Sequence, residues 1–146
     1  MFKALARLFR APRPAPVFFD HPVLGRLEFE PAERLWESAD GAAIFHGGIP
    51  GDASGPDPAR AAELVQRLGD IDRYWSLCAD DLLYIASNYD ALPPARDPRE
   101  IFGLAAVSLA PDYWEVCFQT HDSLKKWLYV GMQFEGETLV SNTIDT

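Results

Sequence analysis

The sequence predicts an α+β protein with a three-stranded antiparallel meander first, a long helix or helix pair in the middle, and a four-stranded antiparallel sheet at the end. Three patterns carry this prediction. Apolar residues alternate with polar ones in short stretches before residue 50, recur every three or four positions across 58–89, and alternate again from 104 to 144. Because strands repeat every two residues and helices every 3.6, the order of the elements follows from these patterns.

The amino-terminal meander is predicted from alternation and from the turn residues between its strands. Leu27 and Phe29 alternate with charged neighbours, and Pro31 and Asp40-Gly41 separate this stretch from the two that follow. The three predicted strands are 26–30, 34–38 and 42–49. We expect one side of the meander to face solvent. The run 47–58, GGIPGDASGPDP, is predicted as a surface loop, and it matches no phosphate-binding glycine motif.

The helical region begins with a recognisable cap. Asp57 precedes Pro58, the combination expected at an N-cap and a first helical position. The apolar or small residues that then recur at helical spacing are Ala61, Leu64, Leu68, Ile71, Trp75, Cys78, Leu82, Ile85 and Tyr89. One helix and two collinear helices both fit this stripe, and Gly69-Asp70 is the expected break. We expect the stripe to lie across a sheet.

The closing sheet is predicted with aromatic residues on both faces. Its expected strands are 104–110, 113–120, 126–135 and 138–144. The even positions, predicted to be core, are Trp114, Val116, Phe118, Leu128, Val130, Met132 and Phe134. The odd positions carry Tyr113, Cys117, Trp127 and Tyr129, where a half-solvated sheet normally shows polar residues. Either another element of the chain covers this second face, or a partner does.

Charge divides the chain into two parts. Residues 1–16 hold four basic residues and no acidic one, so we predict a basic amphipathic leader with a proline-rich spacer, ahead of a single α+β domain at 17–146. The leader carries a charge of +4. Subtracting this from the net charge of −9 for the whole chain leaves −13 for the domain. A body this acidic repels nucleic acid and favours a basic protein partner. Weak contact of residues 1–10 with an anionic membrane surface is the alternative role for the leader.

The cysteines and the hydropathy favour a cytoplasmic protein. No run approaches the roughly 20 apolar residues of a membrane span, and no signal-peptide core precedes the domain. Cys78 and Cys117 have no CxxC spacing, so they are predicted to be buried thiols in a reducing compartment.

No catalytic motif is present in the sequence. His21, His46 and His121 lack the spacing of a helical metal pair, and neither cysteine has an adjacent base. We therefore predict a protein that is not an enzyme, with no metal and no cofactor. The alternative is an enzyme or small-ligand binder whose pocket lies between helix and sheet, with His46, His121 or Asp122 converging on it.

Four segments carry a resemblance to a known group of proteins. They are HPVLGRLEFE, ADDLLYIASNY, DPREIFGLAAVSLAPDYWEVCFQ and LYVGMQFEGETLVSNTID. Together they resemble uncharacterised bacterial domains of unknown function, some of which are similar to immunity proteins of toxin systems. The resemblance implies stoichiometric binding of a partner. Members of the group often carry a Gly-His pair at the penultimate strand, whereas this chain has Lys126-Trp127, so no role of that histidine carries over.

These observations together predict a non-catalytic cytoplasmic binding protein of the immunity type, which uses an acidic surface and exposed aromatic residues to engage a basic protein. The predicted contact residues are Trp36, Asp52, Asp57, Tyr113, Trp127 and Tyr129. A structural homodimer that buries Trp127 and Tyr129 is a further alternative.

Overall fold

The computed structural model describes residues 14–40, 45–46 and 48–146, and of His46 it describes the backbone only. Within these residues, the fold is α+β with two α-helices and two sheets in which all but one strand pair is antiparallel. The strands are β1 Phe18–His21, β2 Gly25–Glu30, β3 Leu35–Ser38, β4 Phe45–His46, β5 Ile49–Asp52, β6 Gly55–Pro56, β7 Phe102–Leu109, β8 Trp114–Thr120, β9 Tyr129–Glu135 and β10 Thr138–Asp145. The helices are α1 Pro58–Gly69 and α2 Ile71–Ser87. The predicted leader lies mostly outside the described residues.

The amino-terminal sheet has five strands in the order β1-β2-β3-β5-β6, so the prediction of three strands was wrong in number. The strand β1 pairs antiparallel with β2, and β5 turns back on itself as a hairpin with β6. The prediction of a surface loop was therefore wrong for 49–56, which forms this hairpin, and residue 47 lies outside the described residues. Asp52 closes the hairpin, since its Oδ1 accepts a hydrogen bond from the backbone N–H of Ser54 at 2.8 Å. Turn chemistry thus favours this hairpin in a sequence rich in glycine and proline.

The helical region forms two helices, and the break is at the predicted place. The side chain of Asp57 caps α1, because its Oδ1 accepts hydrogen bonds from the N–H groups of Ala59 at 2.9 Å and Arg60 at 3.2 Å. The helix α1 ends at Gly69, and Asp70 separates it from α2. Because α1 and α2 are separate helices, their apolar residues can pack against both sheets.

The carboxyl-terminal sheet contains the four predicted antiparallel strands in the order β10-β9-β8-β7. A fifth strand, β4, adds a short parallel pairing next to β7, in which Phe45 lies opposite Val107. This pairing was not predicted, because a two-residue strand leaves no periodic signal. It joins the chain between β3 and β5 to the second sheet.

The core lies between the helices and the inner face of the carboxyl-terminal sheet. The predicted even positions are all buried, and both cysteines are buried as well. Aromatic rings of α2 pack edge to face against rings of the sheet. The ring centroids of Trp75 and Phe118 lie 4.5 Å apart, and those of Tyr74 and Trp114 lie 4.6 Å apart. Such aromatic pairs add about 0.5–1.5 kcal/mol each beyond the area they bury.

A charged cluster fixes the helix pair to the β9–β10 turn. The guanidinium carbon of Arg67 lies 4.1 Å from the centre of the Trp114 ring. Its Nη1 donates to the hydroxyl of Tyr74 at 2.8 Å and to the carboxylate of Glu137. Arg73 adds a second cation 3.1 Å from the same carboxylate. The cluster therefore joins α1, α2 and the turn between the last two strands.

The first prediction concerns the pH dependence of this cluster. Burial acts to raise the pKa of Glu137, but its hydrogen bond to Arg67 and the charges of Arg67 and Arg73 outweigh burial and lower the pKa. The stabilisation is therefore present above the unfolded pKa and is lost as pH falls through the lower folded pKa. Glu137→Gln should reduce the free energy of unfolding at pH 7 by about 1 kcal/mol, a figure appropriate to a partly exposed pair.

Urea unfolding of both proteins from pH 7 to pH 3 measures this effect. The difference between wild type and Glu137→Gln should shrink as the pH falls. Glu135→Gln, at the end of β9 just before the same turn and without an ion pair among the described residues, is the matched control and should change little. A difference for Glu137→Gln that stayed constant down to pH 3 would contradict the electrostatic explanation.

The second prediction compares two glycines. A Cβ on Gly51 would meet the carbonyl oxygen of Gly55 and would lie 2.8 Å from the Cα of Pro56 across the hairpin. Gly51→Ala should therefore destabilise the fold by about 1–3 kcal/mol through overpacking. A Cβ on Gly69 would meet nothing within 4 Å, so Gly69→Ala should leave stability unchanged or raise it by up to about 1 kcal/mol. Thermal unfolding measures both, and equal effects would show that the hairpin tolerates the added methyl group.

Candidate interaction surface

One of the six predicted contact residues is not on the surface. Trp36 is only 1% exposed, and its ring packs against Phe19 and Phe29 at centroid distances of 5.9 and 5.1 Å. Its Nε1 donates to the backbone carbonyl of Asp52 at 2.9 Å. The prediction of Trp36 as a partner contact was therefore wrong, because the alternation of β3 turns this side chain towards the core and gives solvent its neighbour Glu37 instead.

The two predicted aspartates are exposed, but each also has a structural role. Hydrogen bonds from the side chain and backbone of Ser54 lower the pKa of Asp52, and the charge of Arg34 lowers it further. Asp57 caps α1. Both carboxylates line a cavity of about 620 Å³ at the hairpin, together with Arg34. The structure thus brings these two residues together, beside a cation that offsets part of their charge.

A second cavity, of about 530 Å³, lies between the amino-terminal sheet and α1 and shares Phe19 with the first. Its walls are mainly apolar, with Val23, Ala62 and Val65 among the lining side chains. His21 also lines it, and the Nδ1 of His21 accepts hydrogen bonds from the N–H groups of residues 23 and 24 at 3.1 Å. A pocket between helix and sheet therefore exists.

The histidine and aspartate predicted for that pocket lie elsewhere. His121 and Asp122 line a smaller cavity of about 240 Å³ where β7 begins and β8 ends, with Gly103 and Gln119. The Nε2 of His121 lies 2.8 Å from the carbonyl oxygen of Arg99. The prediction that His121 and Asp122 converge on a pocket between helix and sheet was wrong, and the side chain of His46 lies outside the described residues.

The three predicted aromatic contacts fall at two ends of the carboxyl-terminal sheet. Tyr113 is exposed in the β7–β8 turn, whereas Trp127 is exposed ahead of β9 and stacks on half-buried Tyr129 at 6.4 Å. Tyr129 pairs with Gln119 at the far end of β8, so about 20 Å of strand separates it from Tyr113. The structure therefore does not bring these aromatic residues into one patch.

Polar and small residues occupy the outer face of that sheet between its ends. Gln133 donates from Nε2 to Oε1 of Glu115 at 2.7 Å. Cys117 lies directly opposite Gly131, is buried, and interacts with the hydroxyl of Tyr129. The exposed aromatic residues of the predicted second face are thus limited to the two ends of the sheet.

The residues that sequence reasoning missed lie on the outer face of the amino-terminal sheet. Glu28 and Glu37 are directly opposite each other on β2 and β3, and Phe18 is directly opposite Glu28 on the other side. All three side chains are exposed, as is that of Glu30 on the same face. Arg26 is the basic residue of this face, and it lies against the Phe18 ring at 4.3 Å. Alternation in GRLEFE and LWES is the signal that could have indicated this acidic face.

Within the described part of the chain, no group of three or more histidine, cysteine, aspartate or glutamate side chains is placed to hold a metal ion. Across the same residues, neither helix is long and apolar enough to cross a membrane. The predicted membrane contact of residues 1–10 lies outside the described residues.

No protein-family model, curated protein or solved structure matches this chain. The resemblance to bacterial domains of the immunity type therefore stays a prediction.

The third prediction concerns the thiols. Burial and the charge of Asp81 raise the pKa of Cys78 to about 12, and burial and the charge of Glu115 raise that of Cys117. Since the thiolate is the reactive form, iodoacetamide at pH 8 should modify neither cysteine of the folded protein. Mass spectrometry should show two modifications only after unfolding in guanidinium chloride. Rapid modification of Cys117 in the native protein would show that the Tyr129 side chain moves away readily and exposes the thiol.

Proposed function

We propose that this protein is a non-catalytic binding protein that engages a basic protein partner through the acidic outer face of its amino-terminal sheet. Binding of this kind would be stoichiometric, as in immunity proteins that block a toxin. A cytoplasmic location belongs to the same proposal.

The pairing of Glu28 with Glu37 is the observation that carries the proposal. Like charges directly opposite each other on an exposed sheet reduce stability. Glu30 lies two residues from Glu28 on the same side of β2, which adds to the negative potential. Lysine or arginine side chains of a partner would relieve this repulsion, whereas water only screens it. The exposed Phe18 ring beside Glu28 offers an apolar contact within the same face.

The distribution of charge over the rest of the chain supports the same partner. Residues 14–146 carry a net charge of −13, and five of their nine basic residues already form ion pairs with acidic ones. The field around the domain is therefore strongly negative. Such a field speeds encounter with a basic protein and makes the rate fall with added salt.

The fourth prediction uses Glu37→Lys, which turns the like-charged pair into an opposite one. The free energy of unfolding should rise by about 0.2–1 kcal/mol, because attraction to Glu28 replaces repulsion. Association with the basic partner should slow, and the salt dependence of its rate should weaken. The partner is first isolated by low-salt co-purification with the full chain, and its association is then measured by surface plasmon resonance.

Asp122→Lys makes the same change in net charge at an exposed turn of the other sheet, so it is the matched control. It should leave stability and association nearly unchanged. Equal losses of association for the two variants would mean that only net charge matters, and the acidic face would then not be the binding site. A Glu37→Lys protein that bound as fast as wild type would also contradict the proposal.

The apolar cavity supports a second candidate function, the binding of a small apolar ligand. Its volume of about 530 Å³ lies within the roughly 300–1,000 Å³ typical of small-molecule sites. A ligand present at 100 times its dissociation constant would add about 2.7 kcal/mol of stability. Thermal shift measurements on the wild type and on Ala62→Phe, which fills the cavity, would separate this function from protein binding.

A further inference from the structure

The last strand of the carboxyl-terminal sheet has an open edge. The strand β10 is outermost in the sheet, and none of the described strands pairs with its outer side. Its eight residues, Thr138–Asp145, extend over about 26 Å. The backbone N–H and C=O groups along this edge are therefore available to an incoming strand.

The second half of this edge lacks the features that usually prevent strand addition. Proteins protect edges with lysine, proline, bulges that twist the strand away, or covering elements. The sequence TLVSNTID contains no lysine and no proline, and its single charge is at Asp145, the last residue of the strand. Val140 and Ile144 are 47% and 39% exposed. The irregularity in the β9–β10 register lies between residues 139 and 141, so the second half of the strand is regular.

The helix α2 provides a side-chain site beside this edge. A groove of about 240 Å³ separates α2 from β10, with Asp81, Tyr84 and Ile144 among its lining residues. Leu77, Asp81 and Tyr84 follow one another at helical spacing, which places them on one stripe. Leu77 is 45% exposed and Tyr84 is 71% exposed. An added strand would thus find an apolar helical surface on the inner side of the sheet.

Charge selects the occupant of this groove. Among the described residues, Asp81 is the only charged residue that lines it, and Asp80 and Asp145 lie close in sequence to its two walls. Lys126 is held 5.4 Å from the ring of Tyr89, another lining residue. A second copy of the chain would offer the groove its own strand TLVSNTID, which has no basic residue to place beside Asp81. A basic segment has the complementary charge.

We propose that β10 accepts an extended segment of a basic protein as an additional strand. Alternate side chains of that segment would face the groove, an apolar one beside Tyr84 and Ile144 and a lysine or arginine next to Asp81, because every second side chain of a strand lies on the same face. Main-chain hydrogen bonds then supply affinity and the groove supplies selectivity, as in other cases of strand addition. The inference relies on the proposed function only for the charge of the occupant.

A peptide experiment tests the proposal on the full chain. The probe is an eight-residue peptide whose odd positions carry valine and lysine in turn and whose even positions carry threonine, so that valine and lysine share one face. Binding is followed by NMR of the ¹⁵N-labelled protein. Saturable binding should shift the amide signals of β10 and of α2 near Tyr84. The same peptide with glutamate in place of lysine should bind at least tenfold more weakly. So should the probe N-methylated at two adjacent central amides, because adjacent N–H groups of a strand point to opposite edges and both edges are then blocked.

Matched variants separate the groove from general charge. Asp81→Lys and Tyr84→Ala should each weaken binding of the probe at least tenfold, since one reverses the groove's charge and the other removes its most exposed ring. Asp122→Lys and Tyr113→Ala make the same changes at exposed positions outside the groove. Asp122 lies in the β8–β9 turn and Tyr113 in the β7–β8 turn. They should change the dissociation constant less than threefold. Circular dichroism confirms that each variant is folded.

Three results would overturn the proposal: no saturable binding of the probe, undiminished binding of the probe by Asp81→Lys, or a dimer in analytical ultracentrifugation that Ile144→Lys dissociates. The last would assign the edge to a second copy of the chain. Each result leaves the proposed function intact if Glu37→Lys still weakens binding of the basic partner, so failure of the two proposals can be distinguished.

Discussion

The fold depends on one almost buried cation. Arg67 lies on the ring of Trp114, donates to Tyr74 and pairs with Glu137, so α1, α2 and the β9–β10 turn meet at a single guanidinium. A buried charge is tolerated only when it is paired and hydrogen-bonded. Its Nε has no hydrogen-bond partner among the described residues, which makes the remaining contacts more important. Removing any one of them would leave the cation less compensated in an aromatic environment.

This arrangement decides which surfaces stay available for function. The helix pair uses its apolar stripe on the inner face of the carboxyl-terminal sheet, and α1 also contacts β5 of the amino-terminal sheet. What remains for a partner is the outer face around Glu28 and Glu37, the groove beside α2, and exposed aromatic residues at the sheet ends. Because the inner faces are already filled, a partner can bind without disturbing the core.

The sequence predicted the elements that have a long periodic signal. The break at Gly69-Asp70 and the four carboxyl-terminal strands were correct, since nine helical positions or eight alternating residues outweigh local irregularities. Short elements such as β5 and β6 were missed because glycine and proline dominate their composition. Trp36 was misplaced because exposure depends on which side of a strand faces the helices. The pairing of Glu28 with Glu37 depends on strand register, which alternation within one strand does not define.

Two features of the molecule depart from what stability alone would favour: the opposed glutamates of β2 and β3, and the open edge of β10, which has no lysine or proline. Neither takes part in the buried core, so the fold does not require them. A lysine at position 37 would remove the first feature, and a lysine on β10 would remove the second. Neither substitution would cost much stability, because both sites are exposed. Local rules are most often broken where a protein performs its function. The two departures also demand the same occupant, since positive charge relieves the first and complements Asp81 beside the second.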